Sequence, residues 1–159
     1  MSFAYLLVSF FTILSVAILV FWILKRKEKK FRFVILAVPI ILGIAYGCTY
    51  IPHKIVNIAP EEVSKIHIFD GTTGYEAEIT DKAQILHIIN NLNGVTFQKD
   101  KSALGYLGYS FNTTIFNQDG KVVNEFIINS NDTIRYKGFF YTAKNQTVDY
   151  DYIEQLVRK

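Results

Sequence analysis

The chain has 159 residues, half of them hydrophobic, and a formal net charge of +3 that is spread unevenly. Residues 25–32 hold six basic side chains and one acidic one, a local +5 (six minus one), whereas residues 53–159 hold 11 Lys+Arg against 13 Asp+Glu, near −2. The C-terminal part therefore has no electrostatic footprint for nucleic acid, and the single cysteine, Cys48, excludes a disulfide framework or a cysteine-based zinc site.

Residues 3–24 contain no Asp, Glu, Lys, Arg or His. As a helix they would extend about 33 Å, enough to cross a hydrocarbon core of about 30 Å. Residues 33–51 are also uncharged and would reach about 28 Å. Two transmembrane helices are predicted, joined by the basic loop 25–32. Short loops rich in Lys and Arg stay on the cytoplasmic side. The expectation is thus a bacterial cytoplasmic-membrane protein with the loop inside and both the N-terminus and the C-terminal domain outside. Trp22, Tyr5, Tyr46 and Tyr50 stand at the expected interfaces. The lipid bilayer is then one partner, and anionic head groups would favour the loop.

Two alternatives compete for these segments. Ala45-Tyr46-Gly47-Cys48 after a basic start and an apolar run has the layout of a lipoprotein signal, with Cys48 as the lipidated residue, although Tyr46 is bulky for that role. Residues 3–24 as a cleaved signal peptide fit poorly, because they lack a basic start and exceed a signal's apolar core.

Residues 53–64, with Pro60 before Glu61-Glu62, read as a short linker that keeps the next domain near the bilayer. From residue 65 the pattern changes. Residues 66–70 and 75–79 alternate as strands around Gly71-Thr72-Thr73-Gly74. Thr80 or Asp81 caps a helix whose Ile85, Ile88, Ile89 and Leu92 form one apolar stripe, and Asn93-Gly94 ends it. Residues 95–98 read as a strand, and 99–108 are irregular, with Gly105 and Gly108 among tyrosines and leucines. Asp119-Gly120 between two alternating runs, 109–116 and 121–128, signals a hairpin. A turn at 129–133 leads to one strand over 134–143. A helix over 148–158 closes the chain, with acids at its start and bases at its end. Strands mostly adjacent in sequence imply an α+β domain over 65–159, a mostly antiparallel sheet with two helices on one face.

The order of these motifs resembles small Gram-positive membrane-anchored proteins with an extracytoplasmic α+β domain. The likeness lies in Ile79-Thr80-Asp81-Lys82 leading into an Ile-rich helix, Gly105-Tyr106 to Gly108-Tyr109-Ser110, the Asp119-Gly120 hairpin, the strand around Arg135-Tyr136-Lys137-Gly138-Phe139, and the terminal helix. It implies a fold and a location, and no functional residue follows from it.

Chemistry is sparse. His53, His67 and His87 have no metal-ligand spacing, so no metal and no cofactor are expected. Glu76 and Glu78 share one face of a strand and could act as general acid and base, or form the wet face of an edge strand. Asn112, Asn131 and Asn145 begin Asn-x-Thr sequons, meaningful only in a eukaryotic secretory pathway. The aromatics say more. Tyr106, Tyr109, Phe139 and Tyr141 lie in or near the Gly-containing stretch and the last strand, and consecutive Phe139-Phe140-Tyr141 cannot all face one core. These four are the candidate binding residues.

The sequence therefore predicts a non-enzymatic binding or accessory module of the bacterial envelope that engages a protein or envelope partner. Self-protection against an exported toxin is one version of it. A second reading is an accessory subunit of a membrane complex, assembled through the spans with Gly43, Ala45 and Gly47 allowing close helix approach. A hydrolase using Glu76 and Glu78 is the third.

Overall fold

A computed structural model describes residues 14–16, 18, 20–22, 25 and 29–158, in two compact units, 1–49 and 50–159. In the first unit, residues 14–16, 18 and 20–22 are helical, and most of the first expected span lies outside the described residues. The helix α1 runs over Lys29–Cys48. Here the structure corrects the sequence reading. Lys29, Lys30 and Arg32, expected in a loop, are helical, and the helix stops at Cys48, with residues 49–51 in a turn and bend. Its uncharged part, residues 33–48, extends only about 24 Å at 1.5 Å per residue, against a core of about 30 Å. Among the described residues no helix is long and apolar enough to cross a membrane. The two-span anchor is therefore not supported, nor is the cytoplasmic-membrane location with its inside loop and outside domain.

The second unit is a seven-stranded antiparallel sheet in the order β2-β1-β4-β5-β6-β7-β3. Its strands are β1 (Val63–Asp70), β2 (Glu76–Ile79), β3 (Phe97–Ser102), β4 (Phe111–Asn117), β5 (Val122–Ile128), β6 (Thr133–Tyr136) and β7 (Phe139–Ala143). The helices α2 (Lys82–Gly94) and α3 (Tyr150–Val157) pack on one face. Asp81 caps α2 by accepting the Gln84 N–H at 2.9 Å. The stripe Ile85, Ile88, Ile89 and Leu92 is buried against Ile66, Ile68, Phe97 and Ile115. Each such side chain contributes about 1.5–3 kcal/mol by leaving water. Asp149 caps α3, whose Ile153 and Val157 are buried.

Two local features depart from the expected pattern. The single strand over 134–143 is a hairpin: Lys137 (φ 46) and Gly138 (φ 79) make a two-residue turn, both in the left-handed region. Residues 53–64, read as a linker, pack into the unit. Ile55 and Val56 are buried, His53 bridges to Phe97, and Asn93 bonds both the N–H and the C=O of Ile58.

Candidate functional site

The strand order forces the chain to cross the sheet twice. After β2, the segment containing α2 crosses the helix-bearing face to place β3 at the far edge. Residues 103–110 must then return across β7, β6 and β5 to start β4 beside β1. The helices occupy one face, so this return takes the other. There the register aligns a transverse row: Phe69 opposite Asn112, Asn112 opposite Ile127, Ile127 opposite Arg135, and Arg135 opposite Phe140.

Arg135 and two aromatics hold the returning loop over this row. The Arg135 guanidinium donates from Nη1 to the Tyr106 carbonyl at 2.7 Å and from Nη2 to the Gly108 carbonyl at 2.8 Å. The Tyr106 ring meets Phe140 edge-on at 5.1 Å, and the Tyr109 ring lies 6.4 Å from Phe69. Lys101 reaches over the Tyr106 ring at 5.2 Å. The Gly71 N–H donates to the Ser110 carbonyl at 2.7 Å, where the loop lands. A Cβ at Gly71 would run into the Tyr109 ring, so glycine permits that landing. Gly105, at φ 85, supplies the left-handed turn that keeps the loop flat. Held from beneath, the loop turns its apolar side chains outward. Leu107 is 90% exposed, Leu104 73% and Tyr106 50%. Beside it lies a shallow depression of about 360 Å³ lined by Asn112, Glu125, Ile127, Arg135, Lys137 and Gly138.

The structure divides the four predicted aromatics. Tyr106 and Tyr109 belong to the loop on the helix-free face. Tyr141 is buried in the core, edge-on to His53 at 5.8 Å, and Phe139 is half-buried against the same core, beneath the Lys99 ammonium at 3.7 Å. Phe140, on the opposite face, is what Tyr106 packs on. Sequence reasoning passed over Arg135, Leu104 and Leu107 as site residues. Two leucines in a Gly-containing stretch without helical or strand periodicity were the available signal.

On the other half of the helix-free face the ionisable side chains face one another. Lys65 pairs with Glu78 at 2.7 Å, and His67 lies 3.4 Å from Glu76. The Lys65 hydrogen bond and charge lower the Glu78 pKa. The two glutamates are thus engaged across the strand pair, each with its own basic neighbour. The His87 ring lies tilted against Tyr152 at 4.2 Å, and His87 pairs with Asp149 at 2.8 Å, which ties α2 to the cap of α3. Cys48 is an exposed free thiol at the end of α1. Among the described residues no group of three His, Cys, Asp or Glu side chains is placed to hold a metal ion.

Comparisons with known proteins find no matching family model, no matching curated protein and no matching solved structure.

Proposed function

We propose that this protein is a non-enzymatic binding module that engages a protein partner through residues 103–110 and the strands beneath them. One observation carries the reading: Leu104, Tyr106 and Leu107 are exposed together on a loop whose backbone is fixed by two charge-assisted hydrogen bonds from Arg135. A single exposed leucine is ordinary, but a contiguous apolar patch on an ordered segment is a feature of interaction sites. Prior ordering also lowers the entropy lost on association. Tyr and Leu beside Lys and Arg provide apolar anchors within a polar rim.

The test is site-specific photocrosslinking in cells, on the full chain, with a photoreactive side chain in place of Leu107. A discrete protein adduct is expected at this position and not when the same group replaces Thr114, which lies on the same face away from the loop. Arg135→Ala, which frees the loop backbone, should reduce the adduct severalfold. Equal adducts at both positions, or none at Leu107, would overturn the reading.

A further inference from the structure

We infer that the partner surface is an acidic protein segment with an apolar anchor, an inference that rests on the loop being the binding site. Charge is distributed unevenly over the sheet. On the β1–β2 half, Lys65 and His67 already face Glu78 and Glu76. On the loop half, Lys101 on β3, Arg135 on β6 and Lys137 in the β6–β7 turn lie beside two acids, Asp100 and Glu125. Three cations minus two acids leaves +1 in a domain near −2 overall, so the remainder of the domain is near −3.

Among the described residues, neither Lys101 nor Lys137 has a carboxylate within 4 Å. Instead each lies over an aromatic ring, Lys101 at 5.2 Å from Tyr106 and Lys137 at 5.0 Å from Tyr136. A cation above a ring is held in place while its outer side stays free for an anion. Lys137 also occupies a left-handed conformation that disfavours a side-chain-bearing residue. The hairpin nonetheless places this lysine at the rim of the depression.

Leu104 and Leu107 therefore stand beside cations that the protein itself leaves unneutralised. An apolar anchor side chain from the partner meets Leu104 and Leu107, and carboxylates flanking that anchor meet Lys101 and Lys137. Opposite charge across the rim steers encounter and selects the partner, while the apolar contact supplies the residence time.

The experiment again uses the full chain with the photoreactive group at Leu107, comparing otherwise native protein with Lys101→Glu/Lys137→Glu. Both lysines are exposed, and matching circular dichroism spectra would show that the variant is folded. The crosslinked partner peptide is expected to carry a net negative charge. Adduct yield should fall at least tenfold in the charge-reversed variant and in 0.5 M salt, and Lys101→Arg/Lys137→Arg should restore it. An adduct that survives charge reversal and salt overturns the acidic partner while leaving the binding module standing. Absence of any adduct overturns both. An adduct to phospholipid, or to a second copy of the chain, overturns the inference by naming a different occupant.

Discussion

The chain crosses its sheet twice, and the two crossings are held in opposite ways. The α2 crossing is held by burial: Ile85, Ile88, Ile89 and Leu92 turn inward, and the polar positions Lys82 and His87 stay out. The 103–110 crossing is held by its backbone. Arg135 binds two of its carbonyls, Tyr106 and Tyr109 rest on Phe140 and Phe69, and Leu104 and Leu107 turn outward. Both segments solve the same topological problem. The helix spends its apolar side chains on stability, while the loop, anchored by polar contacts, leaves its own for another molecule.

The largest expected effect tests the buried crossing. Ile89 is fully buried, and Ile89→Ala removes three heavy atoms from a packed core. A loss of about 3 kcal/mol in unfolding free energy is expected, from the transfer term plus the cavity left behind. Denaturant titration of the folded chain measures it. A loss below about 1 kcal/mol would mean that α2 is not held by its stripe.

A second effect arises where the 103–110 crossing lands. Asp70 ends β1 with a fully buried carboxylate, one residue before Gly71 receives the loop. Burial alone would raise its pKa. The Arg158 guanidinium at 2.7 Å, the Thr73 hydroxyl at 2.7 Å and the Thr72 N–H at 2.8 Å outweigh burial and hold it at about 2, against an ordinary 3.8. Its folded pKa is therefore depressed, so its contribution is complete above about pH 4 and disappears as pH falls through about 2. The shift corresponds to roughly 2 kcal/mol. Chemical denaturation between pH 5 and pH 2 should show this decline, and Asp70→Asn should flatten it. An unchanged slope in the variant would remove Asp70 from the account.

What was legible in the sequence follows the same division. The α2 stripe and its Asp81 cap could be read because helical burial writes a 3.6-residue period. The Asp119-Gly120 turn could be read because few residues tolerate its conformation, and Asn117 closes it by bonding Lys121 in both directions of the chain's return. The turn at Lys137-Gly138 was hidden, because lysine is not a usual left-handed residue and the apolar alternation runs on through it. The loop's anchoring was also hidden. Arg135 lies 29 residues from Tyr106, and only the placement of β3 at the far edge brings them together. Residues 33–51 misled for a different reason. Hydropathy shows an uncharged run, not where the helix begins and ends, and α1 starts among the lysines and stops at Cys48.

The smallest expected effect sharpens the contrast most. Leu107→Ser removes nearly the same apolar material as Ile89→Ala, yet its side chain is already in water and contributes little to the folded state. Its effect on unfolding free energy should stay within about 0.5 kcal/mol, the range of ordinary surface substitutions. Photocrosslinking through a reactive group placed at Leu104 should nevertheless fall severalfold in the same variant, because the neighbouring anchor is gone. Stability and association would then be carried by branched aliphatic side chains on opposite sides of one sheet. If Leu107→Ser instead lowers stability by 2 kcal/mol or more, the loop is packed like α2 rather than displayed, and its leucines belong to the fold.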